Sequence, residues 1–280
     1  MALDQIDVDE MDKEKEMTFL DHLEELRWHL MRSSIAILIG GIAIFLSGSW
    51  FFDNVILWPK SPDFVTYEMI CWLSQKVGLG TAACVTPKEI TLVSHDLQEI
   101  FVTHLKVSAI GGFVIAFPYV LWEIWRFVAP GLKNSERKYT GGLVWVCSLL
   151  FLMGVAFGYF IISPFAIYYL TNYEVSVSVR PDIQFSSFIN SITMITLPAG
   201  IVFELPVVVY FLSKIGLVTP MMMRKYRKHA FVIILIVAAI ITPPDVITQF
   251  IIGVPLYMLY EISIGISARI YKKREQELNS

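Results

Sequence analysis

Few side chains in this sequence are arranged for covalent chemistry. The five histidines (His22, His29, His95, His104 and His229) are scattered. There is no HExxH pair to hold zinc and no GxSxG elbow to present a serine nucleophile. The three cysteines, Cys71, Cys84 and Cys147, form no CxxC pair and no Cys/His cluster, so neither a metal nor a cofactor is expected. What remains is charge in unusual company. Glu24, Glu25 and Arg27 stand in FLDHLEELRWHL, and Glu136 and Arg137 in WRFVAPGLKNSERK. Glu204 lies two residues before Pro206 in FELPVVV, and Asp245 sits in TPPDVITQ. Carboxylates of this kind accept hydrogen bonds from cations and other donors, which is recognition rather than bond breaking.

The elements that carry these residues must cross a membrane. Apolar residues make up 55% of the 280, charged residues 17%, and the mean hydropathy is +0.61. A soluble domain carries about 25% charge. Lipid must therefore solvate much of this chain. A bilayer core of about 30 Å needs roughly 20 apolar helical residues. Four long stretches qualify, at about Leu30–Phe52, Val107–Trp122, Tyr139–Pro164 and Phe185–Leu212. Two more apolar runs follow, HAFVIILIVAAIIT and VITQFIIGVPLYMLYEISIGIS, parted by Pro243, Pro244 and Asp245. The run from Ala230 to Thr242 reaches only about 20 Å as a helix. The fold class is thus all-α, a polytopic membrane protein with six transmembrane helices, the fifth and sixth short. A single re-entrant hairpin made of the last two runs is the alternative.

Basic residues orient the spans. Seventeen lie on one side: Lys13, Lys15, Arg27, Arg32, Arg126, Lys133, Arg137, Lys138, Lys214, Arg224, Lys225, Arg227, Lys228, Arg269, Lys272, Lys273 and Arg274. The other side holds Lys60, Lys76, Lys88 and Arg180, with Lys106 just inside a span and reaching for the interface. The bias alternates loop by loop and puts both termini in the cytoplasm. Residues 1–17, with seven acidic side chains against Lys13 and Lys15, read as an acidic disordered tail. Residues 18–274 form the membrane domain, and 275–280 a second cytoplasmic tail. The first outer segment, about Asp53–Ser94, holds Cys71 and Cys84 in an oxidising compartment, where they are expected to form a disulfide. The second, about Phe165–Asp182, contains the β-branched run VSVSV and is expected to be partly extended.

Taken together, the entry motif before the first span, the FVAPGL…ER loop, the FELP helix and the TPPD turn resemble the TatC family. They occur in order and at similar spacing, and the resemblance runs from about Thr18 to Arg274. The family often has a second basic residue where this chain has His29, and the first outer segment looks longer than usual, so only Pro59 is carried over from it. The resemblance implies a receptor and translocation core for folded proteins bearing twin-arginine signal peptides, driven by the proton-motive force in a bacterial inner membrane. TatA- and TatB-like single-span subunits would be its partners in an oligomeric complex, with no role for nucleic acid. The signal-binding residues it implies are Glu25 and Glu136, supported by Arg27, Phe127 and Arg137. Pro59, Glu204 and Asp245 match other family positions.

The residues themselves are compatible with that role. A guanidinium is permanently charged and offers a planar donor fork that a carboxylate satisfies bidentately. Two adjacent arginines call for two carboxylates on one surface, and Glu25 and Glu136 come from segments on the same side. Read alone, Glu25 could instead pair with Arg27 or Arg32, and Glu136 could cap its loop. Glu204 is the one carboxylate deep in a span, on a face shared with Ser186, Asn190, Thr193 and Gly200. With Pro198 and Pro206 expected to bend that helix, Glu204 is expected to face a concave, wet groove. An intramembrane protease lacks its catalytic pair here. A small-solute transporter would show several intramembrane charges in repeated halves.

Overall fold

The computed structural model describes residues 19–78, 84, 87–88, 90–128, 140–173, 176, 182–242 and 246–278. The chain opens with α1 (Phe19–Phe51), broken at Gly48, whose φ of 45° is open to glycine without penalty. A π-helical turn (Phe52–Ile56), a 3₁₀ turn (Trp58–Lys60) and α2 (Val65–Lys76) follow. Next come β1 (Leu92–Val93) and α3 (Glu99–Val128). Helix α4 (Thr140–Phe157) passes through a π-helical turn (Gly158–Ile162) into α5 (Ser163–Asn172). Strand β2 (Ile183–Gln184) leads into α6 (Phe185–Val202) and α7 (Leu205–Lys214). The short α8 (Pro220–Lys225) precedes α9 (Arg227–Ile241) and α10 (Val246–Leu278).

Five of these runs are long and apolar enough to cross a membrane: His22–Lys76, Glu99–Val128, Gly142–Asn172, Phe185–Lys214 and Val246–Lys273. They match five of the six spans read from the sequence. Helix α9 has only 15 residues, about 22 Å of length, and falls short of that criterion. The expectation of a short sixth span is corrected, because α10 runs for 33 residues straight through Pro255. Packed neighbours can satisfy the backbone group a proline frees in a membrane helix, and the polar segment KKREQEL consists of good helix formers that prolong it. The third span likewise continues past Pro164 to Asn172. Pro198 sits inside an unbroken α6, whereas the helix breaks at Phe203–Glu204, just before Pro206. Of the VSVSV run, only Ser176 lies within the described residues.

Apolar side chains cover the outside of the bundle as well as filling its core. Trp145, Leu46 and Ile240 are more than 70% exposed, as helices solvated by lipid require. Without a hydrophobic drive between helices, close contact must come from small residues. Helices α1 and α3 cross at Gly40, Gly41 and Gly112, where a Cβ on Gly112 would lie 2.3 Å from Gly41 N. Helices α4 and α6 meet at Gly154 and Gly200 in the same way. One core cluster joins Ile162, Ile195, Ala199, Ala238, Ile252 and Leu256. A second joins Ile56, Val107, Ile167, Phe188, Ile189 and Ile192.

One end of the bundle is closed by a polar cap. Strands β1 and β2 pair in parallel, Leu92 with Ile183 and Val93 with Gln184. Phe64 is fully buried among Trp58, Tyr67, Tyr159 and Phe160. The Tyr67 hydroxyl lies 3.1 Å from the carbonyl oxygens of both Pro59 and Pro164. Cys71 and Cys84 are joined by a disulfide in this cap, with their Cα atoms 4.4 Å apart. Cys147 is a free, buried thiol.

Candidate functional site

At the end of the bundle opposite the cap, the start of α1 lies along the close of α3. Glu25 is half-buried and Arg27 exposed on α1. Phe127, half-buried on α3, stacks on His22 with ring centroids 4.4 Å apart and meets His29 edge-on at 6.2 Å. Three of the five signal-site residues named from the sequence, Glu25, Arg27 and Phe127, are thus carried by the adjoining ends of two helices. Glu136, Arg137 and Asp245 lie outside the described residues. Pro59 is buried in the cap at the far end, where its carbonyl faces Tyr67.

Behind this surface lies a pair that the sequence reading missed. His29 Nδ1 stands 2.5 Å from Glu123 Oε2 across the α1–α3 contact, with Glu123 1% and His29 8% exposed. Arg126 Nη1 is 3.8 Å from Glu123 Oε1, too far for a hydrogen bond, and that oxygen has no hydrogen-bond partner among the described residues. Arg126 itself rests over the Trp122 ring at 4.8 Å. A buried hydrogen-bonded pair of this kind fixes two helices in register, because each member is costly to leave alone. The available signal was Glu123 inside FPYVLWEIWRFV, one turn before Phe127 on the same helical face.

Glu204 occupies the break between α6 and α7. Its carboxylate lies beside the Cys147 thiol and the Phe151 backbone of α4, and Oε1 has no hydrogen-bond partner among the described residues. It does not line the large groove of this bundle, which Thr193, Thr196 and Leu197 of α6 line with apolar residues of α1, α3 and α4. That groove is lined almost wholly by apolar surface. Thr193 and Thr196 donate to the carbonyls of Ile189 and Ile192 of their own helix, and the Tyr159 hydroxyl donates to Val55 O. The rest of the expected polar stripe joins helices. The Ser186 amide donates to Glu99 Oε1 at 2.8 Å, the Asn190 side chain takes Lys106, and Gly200 admits the Phe151 ring.

Two further charges carry more structure than the sequence reading gave them. Glu99 is buried at the start of α3 and also accepts from Ser94 Oγ at 2.9 Å and His95 N at 3.0 Å, so it ties the cap to the first turn of α6. Lys106 does more than reach for an interface, since its ammonium donates to Asn190 Oδ1 and bridges α3 to α6. Among the described residues no three His, Cys, Asp or Glu side chains are grouped to hold a metal.

A mostly helical bundle with apolar flanks, a cap at one end and a charged helix-end surface at the other is the architecture of a multi-pass membrane component, and its homologues make that class a protein translocase. The family model of the Sec-independent protein translocase protein (TatC) matches residues 21–255, and the chain belongs to that family. It is 36% identical over 269 residues to TatC of Blattabacterium, covering 94% of this chain and 99% of that one. It is 31% identical over 264 residues to TatCy of Bacillus subtilis, covering 94% of each. Among solved structures, a crystal structure of the twin arginine translocase receptor TatC in DDM superposes with a TM-score of 0.69 at 31% identity, over 88% of this chain and 99% of that one. Protein transport by the Tat complex, rather than catalysis, is therefore the setting in which these residues work.

Proposed function

We propose that this chain is the receptor of a twin-arginine translocase, binding twin-arginine signal peptides of folded passengers and supporting their export across the bacterial inner membrane on the proton-motive force. The observation that supports this reading best is the surface at the joined ends of α1 and α3. There Glu25 and Arg27 stand at one helix end, Phe127 is stacked on His22 beside them, and the His29–Glu123 pair anchors both helices beneath. Glu25 supplies one carboxylate for a guanidinium fork, and Glu136, with Arg137, supplies the second from the segment that follows α3. Both termini are cytoplasmic, in the short tails at 1–17 and 275–280. Helix α9 makes the fifth of six crossings through a locally thinned bilayer. TatA- and TatB-like single-span subunits join this chain in an oligomeric complex, and the free oxygen of Glu204 accepts a polar group from one of them during transport.

The test is crosslinking of a twin-arginine peptide to the purified protein, followed by titration of Glu25→Ala and Glu136→Ala. Each variant is expected to lose at least thirtyfold in peptide affinity, the equivalent of about 2–5 kcal/mol for one missing partner of a desolvated charge pair. A peptide with both arginines replaced by lysine is expected to bind the unaltered protein poorly. Unchanged affinity in either variant removes that residue from the site.

A further inference from the structure

The apolar groove has the Lys106 ammonium close by, one residue before the first α3 residue of its wall. The groove encloses about 360 Å³ between α1, α3, α4 and α6, within the roughly 300–1,000 Å³ typical of ligand sites. On α3 its wall runs from Val107 to Ile115, about 12 Å of helix and close to the depth of one leaflet. Its hydroxyls are all bonded to backbone carbonyls, so it offers an occupant nothing but apolar contact. Ile115 is 63% and Leu152 44% exposed, so the groove opens sideways, where acyl chains lie.

Lys106 sits next to Val107, at the end of the groove nearer the cap, about 10 Å along α3 from Glu99. Its side chain is exposed and donates to Asn190, which is neutral. Among the described residues no carboxylate stands within ion-pair distance of it. The oxygens of Glu99, two turns away, are already held by Ser186, Ser94 and His95. A cation at this depth in a membrane calls for an opposite charge. We propose that the groove binds one anionic phospholipid of the leaflet at the cap end, with its phosphate on Lys106 and an acyl chain along Val107–Ile115. This rests on the groove and its charge alone and is independent of any role in signal recognition.

Native mass spectrometry of the purified full chain, with phosphatidylglycerol and phosphatidylcholine supplied at equal concentration, tests it. A first adduct favouring phosphatidylglycerol by about fivefold is expected, the ratio that one basic residue contributes near a lipid surface. Lys106→Gln keeps a donor for Asn190 but removes the charge, and should equalise the two lipids. Ala156→Phe fills the groove and should suppress the first adduct of both. A preference that survives Lys106→Gln, or a first adduct that survives Ala156→Phe, overturns the proposal. In native membranes, a photoreactive side chain at Ile115 should gain the mass of a phospholipid. A crosslink there to a polypeptide, whether a second copy or another chain, would assign the groove to that occupant instead.

Discussion

Replacing His29 by alanine removes the ring nitrogen that meets Glu123 Oε2 in a carboxylate only 1% exposed, and leaves the Tyr119 hydroxyl as its remaining close side-chain donor, since Arg126 is 3.8 Å away. Removing one hydrogen-bond partner of a buried carboxylate costs about 1–3 kcal/mol or more, because the group left behind stays desolvated. Glu123→Gln is milder. It removes the charge but leaves an amide oxygen facing His29, and should cost about 1 kcal/mol, the value of one ordinary hydrogen bond. The double variant His29→Leu/Glu123→Met replaces both groups by apolar side chains of similar bulk and should recover most of the loss. Reversible unfolding of the four proteins in detergent micelles, followed by circular dichroism, measures the series. The order His29→Ala worst, Glu123→Gln intermediate and the double variant near wild type is the expected outcome. A His29→Ala protein as stable as the parent would mean that the pair does not join α1 to α3. A double variant as unstable as His29→Ala would mean that shape, not charge, sets the cost.

Three further outcomes follow from other contacts. Gly112→Val would push a side chain into Gly41 N and Ile37 O, both backbone, so α1 must move away from α3. It should lower stability by several kcal/mol, and unfolding at the wild-type midpoint would contradict the close crossing. Cys71 and Cys84 should resist alkylation until a reductant is added while Cys147 never pairs, and the bridge, closing 13 residues, should contribute about 3 kcal/mol in the chain-entropy model. For Glu204, the amide of Glu204→Gln should leave signal binding intact while recruitment of partner subunits weakens, read by co-purification. Export at the wild-type rate by Glu204→Ala would remove it from the mechanism.

Much of the fold was legible because hydropathy is a local property. Five apolar runs gave five crossing helices, and Pro206, whose missing amide cannot continue a ladder, marked the α6–α7 break. Pro198 and Pro255 show the limit of that logic. The same residue type sits inside unbroken helices there, because packing decides whether a freed carbonyl is tolerated. The charges were read less well. Glu123, Glu99 and Lys106 find His29, Ser186 and Asn190 across 94, 87 and 84 residues of chain, and no local pattern carries that information. Lys106 was read as a span-end charge reaching for the interface, and Glu123 and Glu99 drew no reading at all. The polar stripe on α6 was assigned to a wet groove. In the structure Ser186 and Asn190 bond to α3, Thr193 bonds within its own helix, and the groove that Thr193 lines is apolar.

The length of α10 has a mechanical consequence. Its 33 residues extend about 50 Å, against a hydrocarbon core of about 30 Å. Some 20 Å must therefore lie beyond the acyl chains, in headgroups and water. The surplus falls at the Lys272–Lys273 end, because the preceding apolar run begins directly at Val246. With Ser213 bonded to Ser267 at 2.8 Å and Tyr260 bonded to Met223 O, the lower part of this post is clamped to α7 and α8. It is a helical mast on which Lys272 and Lys273 stand beside Glu275. A neighbouring molecule approaching along the membrane plane on that flank meets a spacer of fixed length, which sets its closest distance.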